Sequence, residues 1–395
     1  RNLFNGANLA ANYGAGSTIN GDMSLNSNIR VYSEVMREMK RGIAKLVLAS
    51  KPAGENVAVL YSQPSLFAAM GSIGVNEWQN AYSGWNALLE DLNINFRFIS
   101  YEDLAEGLDS TRCKVLILPA SVALSPAQVK SMELFVRNGG TVIADFAPGY
   151  FNEHGKKGNN AELAALFGIS ATDTALSLSG REIKLEENSK EGIPAIRGSF
   201  RIGSVSLPVM HVNHVGKGRA ILMNLLVNGY QTTTLGGVGG ELSSQTSGAE
   251  IFCRNLRHLV GGLLKSSGVH ERCTVTAADE LPYPCQTMLR SSGDNYVFGI
   301  MKFTQEGNTF DMSKGTEVNV KLPVKGHLYN VREKKYLAYG DSFRMKLVPA
   351  WGYLYTVLQN RIERVEVTAP LKLKRGTMLK TGFRAVAEKG SAGPQ

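Results

Sequence analysis

Residues 113–149 constrain the fold of this chain more than any other stretch. They read C-K-V-L-I-L-P-A-S-V-A-L-S-P-A-Q-V-K-S-M-E-L-F-V-R-N-G-G-T-V-I-A-D-F-A-P-G. Val115–Leu118 is a continuous apolar run, the pattern of a strand buried on both faces. Pro126 starts a helix, Gly139-Gly140 stops it, and Thr141–Phe146 is a second buried strand. The run predicts strand, crossover helix and parallel strand. In sheets so connected, ligands and catalytic groups sit beyond the carboxyl ends of the strands. There the chain offers Asp145, Phe146, Ala147, Pro148 and Gly149, with no Cys or Ser before Gly158. The scaffold is present and its obvious nucleophile is missing.

The flanking sequence extends this pattern. Residues 1–28 have loop composition, rich in Asn, Gly, Ala and Ser, and Val31–Leu48 carries Val31, Val35, Met39, Ile43, Leu46 and Val47 at helical spacing. From Asn56 onward apolar strands (Val57–Tyr61, Ile94–Ile99, Val115–Leu118, Thr141–Phe146) are spaced by helices (Glu77–Leu92, Leu104–Leu108, Pro126–Asn138). That order describes an open, parallel α/β sheet with right-handed crossovers. A short helix over 161–169, a hairpin across Gly216-Lys217-Gly218 and a helix over 249–265 complete this region. After Gly268 helices disappear, and the short strands Tyr296–Phe303, Glu317–Leu322, His327–Asn330 and Tyr353–Leu358 read as a small β-sandwich. The segment V-E-V-T-A-P-L-K-L-K-R-G resembles the opening of a further β module.

At 395 residues, two or three domains are expected. Apolar content of 43% and charged content of 19% fit a folded, soluble chain. No run approaches the roughly 20 apolar residues of a membrane helix. The start, Arg1-Asn2-Leu3-Phe4, has neither Met nor a signal-peptide pattern, so we expect a mature product or a fragment and no address for its compartment. The net charge of +9 is concentrated at the end, where residues 361–395 hold eight basic side chains against three acidic ones. With Phe383 as the lone aromatic there, a solvated basic edge is the reading, with neither a nucleic-acid nor a membrane partner expected.

Few constellations carry chemistry. Cys113, Cys253, Cys273 and Cys285 include no C-x-x-C pair, so zinc is not expected. Cys113 and Cys253 read as small apolar residues, and Cys273 and Cys285 flank a short polar loop, where an oxidising compartment would allow a pairing that is not the favoured reading. A cysteine hydrolase needs a thiolate at the strand–helix elbow with an imidazole beside it, and Cys113 stands at the wrong end of its strand. His154, in Asn152-Glu153-His154-Gly155-Lys156, lies in the loop after the elbow and is a candidate substrate or interface contact. The alternative is a loop that merely caps the sheet. His211 and His214 are three apart in a strand and face opposite ways, so neither a metal nor any cofactor is expected. The Gly-rich runs at 216–218 and 236–240 read as tight turns. Glycoside hydrolysis wants two carboxylates about 5–10 Å apart on separate barrel strands. Glu34 and Glu38 lie on a helix and Glu186 and Glu187 in a polar turn. Asn8 and Asp22, in the N-terminal loops, are the polar residues we place near a sugar.

Together these pieces resemble one family. Gly6-Ala7-Asn8 with Tyr13, Gly21-Asp22-Met23-Ser24 and the helix S-E-V-M-R-E-M-K-R-G-I-A-K-L resemble the end of the catalytic barrel of glycoside hydrolase family 42. V-A-V-L-Y-S-Q-P-S, L-I-L-P, F-V-R-N-G-G-T-V-I-A-D-F-A-P-G, N-E-H-G-K and V-N-H-V-G-K-G-R-A-I-L-M-N-L are similar to its trimerisation domain. His327–Leu358 is similar to the small all-β domain that follows. The resemblance implies a TIM-barrel remnant over 1–50 and a class I amidotransferase-like (flavodoxin-like) trimerisation domain over 51–270, without amidotransferase chemistry. A small all-β sandwich over 271–360 and the start of a further β module or a basic tail over 361–395 follow. It implies a homo-oligomer, a trimer being one form, and contact with carbohydrate through the parent barrel of a β-galactosidase-like enzyme. That barrel's two glutamates would lie upstream, so no catalytic residue maps onto this chain. A carbohydrate-binding or scaffold protein without a barrel, or an amidase of the same fold, are the alternatives.

Overall fold

The computed structural model describes residues 20–54, 56–157, 161–169, 181–186, 195–202, 205–208, 210–227, 230, 247–277, 285–302, 315–349, 351–370 and most of 372–391. The chain enters through α1 (Ser27–Glu38), a π-helical turn (Met39–Ile43) and α2 (Ala44–Leu48). The single helix expected over Val31–Leu48 is thus interrupted. Gly42, at φ 137°, adopts a backbone that no helix tolerates and that glycine reaches without steric cost. Of the expected apolar face, Val47 is fully buried, whereas Val35 is exposed.

After β1 (Lys51–Pro52) come β2 (Val57–Tyr61), α3 (Gln63–Met70), α4 (Val75–Asp91), β3 (Phe96–Ser100) and α5 (Tyr101–Glu106). β4 (Val115–Leu118), α6 (Pro126–Arg137), β5 (Thr141–Ala144) and α7 (Ala161–Phe167) follow. Strands β6 (Arg181–Glu186), β7 (Ala195–Ile202) and β8 (Val205–Pro208) form a small antiparallel meander. The hairpin expected across Gly216-Lys217 is present as β9 (His211–Val215) and β10 (Gly218–Leu222), and α8 (Ser247–Ser266) closes the region.

The order β3-β2-β4-β5-β10-β9 is parallel throughout except for β9. Alternation along its strands builds two cores. Val57, Val59, Val115, Ile117, Ile143 and Ile221 face α4 and α8. Ala58, Leu60, Leu116, Leu118, Val142 and Ala144 face α5, α6 and α7. The central helix α6 begins with a capping box: Gln128 N–H donates to Ser125 Oγ at 3.3 Å, and Ser125 N–H donates to Gln128 Oε1 at 2.9 Å. Helix α4 passes so close to the segment after β10 that a Cβ on Gly84 would stand 1.9 Å from the Val227 carbonyl oxygen.

The remainder is antiparallel: β11 (Thr274–Ala277), β12 (Gln286–Ser292), β13 (Asn295–Met301), β14 (Thr316–Asn330), β15 (Lys335–Leu347) and β16 (Gly352–Leu358). The expected sandwich is made from one hydrogen-bonded sheet rather than two. The first half of β14 pairs β11 and its second half pairs β16, while β15 follows it along both. A register shift between Lys321 and Gly326 spans Pro323, which has no N–H to give, so the long strand bends there and folds the sheet over its own core. Strands β17 (Ile362–Thr368), β18 (Gly382–Ala387) and β19 (Gly390–Ser391) form a separate three-stranded sheet. Among the described residues no helix is long and apolar enough to cross a membrane.

Candidate functional site

The strand order reverses at β2, which has β3 on one side and β4 on the other. At such a switch point the loops leaving adjacent strands diverge and open a crevice. Here the crevice measures about 550 Å³ and is bounded by Gln63, Phe67, Tyr101, Phe151, Glu153 and His154. Its floor is rigid. Ser65 Oγ accepts from Ala123 N–H at 3.0 Å and lies 3.0 Å from the Ala123 carbonyl, tying α3 to the loop after β4. Phe151 N–H donates to Val122 O at 2.8 Å and Leu124 N–H to Phe151 O at 3.1 Å, zipping that loop to the one after β5.

His154 stands on the rim of the crevice. Asn152 Oδ1 accepts from the backbone N–H groups of His154 and Lys156, both at 3.0 Å, which fixes the tight turn through Gly155. The imidazole is largely exposed, and its Nε2 lies 3.7 Å from Glu153 Oε1.

Behind the crevice lies the elbow after β5. Three non-glycine residues at the carboxyl ends of β4, β5 and β10 have left-handed backbones: Ala120 (φ 35°), Ala147 (φ 39°) and Asn224 (φ 48°). A left-handed residue just past a buried strand is the strained geometry in which an elbow presents its nucleophile. The side chain held there is a methyl group, walled by Ala69, Trp78, Ala120, Val122, Phe146 and Leu226. The carboxylate two residues earlier is engaged in the fold. Asp145 is wholly buried, with Oδ2 accepting from Trp85 Nε1 at 3.0 Å and Oδ1 from Ala120 N–H at 2.7 Å. Burial pushes its carboxyl up to about 7, against the pull of the Trp85 indole and the backbone N–H groups of Ala120, Phe146 and Val227.

The remaining sequence candidates lie elsewhere. Asp22 is exposed, and its Oδ1 accepts from Ser24 N–H at 2.9 Å and Ser24 Oγ at 2.6 Å, bonds that hold its carboxyl below the usual range. Asn8 falls outside the described residues. Cys113, Cys273 and Cys285 are buried free thiols.

A family model described as the β-galactosidase trimerisation domain matches residues 55–223. That segment is similar to the trimerisation domain of β-galactosidases. Solved structures share the fold over most of the chain. The β-galactosidase from Bacillus circulans sp. alkalophilus superposes with a TM-score of 0.59 at 18% identity, over 84% of this chain and 45% of that one. A catalytic mutant of Gan42B, a family 42 β-galactosidase from G. stearothermophilus, gives 0.56 at 17% identity, over 86% and 45%. The β-galactosidase from Rahnella sp. R3 gives 0.54 at 13% identity, over 85% and 46%. The chain therefore spans a little under half the length of these enzymes. Among curated proteins none matches.

The matched segment contains the elbow, with Ala147 at its bend, and the crevice, with His154 on its rim. Of the crevice residues, sequence reasoning found only His154. Gln63 and Phe67 lie on α3, whose apolar L-F-A-A-M run shows no polar face. Its sole local signal is Ser62 as N-cap with Pro64 in the first turn.

Proposed function

We propose that the chain is the non-catalytic C-terminal region of a β-galactosidase-like glycoside hydrolase of family 42. It serves to assemble subunits and to frame an active site built elsewhere. In this reading residues 1–50 are the end of a (β/α)8 barrel, with Asn8 and Asp22 toward the sugar. Residues 51–270 are a class I amidotransferase-like trimerisation domain, 271–360 a small β domain, and 361–395 the start of a further β module or a basic tail. The two catalytic glutamates of the parent enzyme would lie upstream and act on β-galactosides or related glycosides.

The observation that carries this reading is Ala147. The family match covers the domain around it, and the elbow geometry survives there with a side chain that has no lone pair to attack with. Assembly then remains as the domain's use. Two measurements test the proposal. Incubated with a chromogenic β-galactoside, the purified chain is expected to release no chromophore. In sedimentation velocity it is expected to run as a homo-oligomer. Cleavage by the chain alone would refute the first half, and a monomer at tens of micromolar the second.

A further inference from the structure

The domain has one corner whose chemistry suits burial rather than water. Strand β3 ends the six-stranded sheet, and among the described residues it pairs with β2 alone. Edge strands of monomeric proteins are guarded by proline, lysine, bulges or a covering element. β3 reads Phe96-Arg97-Phe98-Ile99-Ser100, with Arg97 as its single charge. Phe98 is 51% exposed. Tyr61 at the end of β2 is 43% exposed, and Phe67 and Met70 on α3 are 60% and 67% exposed.

Two of these side chains, Phe98 and Tyr61, pack on aromatic rings beneath them. Tyr82 stacks on Phe98 at 5.5 Å between ring centroids and meets Tyr61 edge-on at 5.5 Å, and Trp78 stacks on Tyr82 at 5.2 Å. Rigid aromatic groups presented this way lose little entropy on binding and make interface anchors. The crevice opens beside them, with Phe67 on its wall, and is a concave receptor for a side chain inserted from outside. Isolated exposed apolar residues are ordinary, but four at one corner beside a strand edge that no described strand pairs are not.

We propose that a second copy of this chain covers this corner, with β3 and α3 forming the contact through which the domain assembles. The occupant follows from the domain match, because residues 55–223 match a family model described as a trimerisation domain. The inference rests on the assembly reading above and adds the surface. A ring of three identical subunits is head-to-tail, so this corner packs against a different face of its neighbour rather than against itself.

Sedimentation velocity of the full chain over a concentration series tests it. Phe67→Glu and Phe98→Arg are each expected to weaken self-association at least about tenfold. Leu134→Glu, at an equally exposed residue of α6 in the other helical layer, is expected to leave it unchanged. Far-UV circular dichroism establishes that each variant is folded. On the unmodified chain, hydrogen exchange at the amides of 96–100 is expected to slow as concentration rises through the association range. If the unmodified chain is a monomer, the assembly reading fails and this inference with it. If it associates and neither substitution nor concentration has these effects, assembly stands and the proposed surface is wrong.

Discussion

Asp145 and Trp85 are joined by a hydrogen bond of 3.0 Å from the indole Nε1 to Oδ2, both side chains fully withdrawn from water. The bond pins the end of β5 to the middle of α4, across the layer that α4 makes over the sheet. An amide at this position keeps the shape but turns one acceptor into a donor facing an N–H. Asp145→Asn is therefore expected to lower stability by about 1–3 kcal/mol at pH 8, where the carboxyl is ionised and offers acceptors only, read from urea unfolding midpoints.

The same carboxyl sets a pH dependence. Unfolded, it gives up its proton near 3.8; folded, burial holds that proton to about 7. Between those values the native state binds the extra proton. The contribution of this group is therefore fully present below 3.8 and is lost as pH rises to about 7. The unfolding midpoint should fall across this window in the unmodified chain, and Asp145→Asn should remove that part of the slope.

Restoring a thiol at the elbow should not restore chemistry. Ala147→Cys places sulfur where a nucleophile belongs, but the described side chains of the cluster packed around it are apolar, and none of them is an imidazole that could draw off the proton. The variant is expected to release no ammonia from glutamine, and its alkylation rate should rise only well above neutral pH.

Arg272 and Glu90 join the α/β sheet to the antiparallel one. The two side chains are nearly buried at 3.1 Å, and Arg272 Nη1 also donates to Thr287 O at 2.7 Å. Arg272→Ala strands a carboxylate and a carbonyl away from water and is expected to cost about 3–5 kcal/mol. The double variant Arg272→Met with Glu90→Gln should recover part of the loss, which a double-mutant cycle measures.

Cys273 and Cys285 are both buried thiols. Burial pushes the Cys273 thiol up to about 12 and raises that of Cys285 as well. Neither should react with an aromatic disulfide reagent on the native chain at pH 8, and both should react in denaturant.

Much of this fold was legible because its strands are buried on both faces. Val57–Leu60, Val115–Leu118 and Thr141–Ala144 contain hardly a polar atom, and the Pro126 start and Gly-Gly stop of α6 are local signals. What escaped is long-range. The bend of β14 depends on which partner each half finds, and the unwinding at Gly42 depends on what the helix docks against. At the candidate site, Asp145 and Ala147 were visible as occupants of the elbow. The N–H groups gathered on Asp145 include those of Trp85 and Val227, which lie far from it in sequence. Gln63, Phe67 and Tyr101 meet His154 only once the sheet order is known.

The pairing of β1 with β12, Lys51 opposite Ser291, has a consequence for how the chain is made. Arg290 reinforces it, its guanidinium donating to the Val47 and Ser50 carbonyls. Arg332 does the same for α1, gripping both oxygens of Glu38 at 2.7 Å. The α/β sheet is thus an insertion between a first strand and the sheet that strand belongs to. On the ribosome, residues 27–52 emerge long before their partners and wait for more than half of the chain. The α/β unit, contiguous between them, can fold meanwhile and bring the two ends together, so that the last strands close over the first helices.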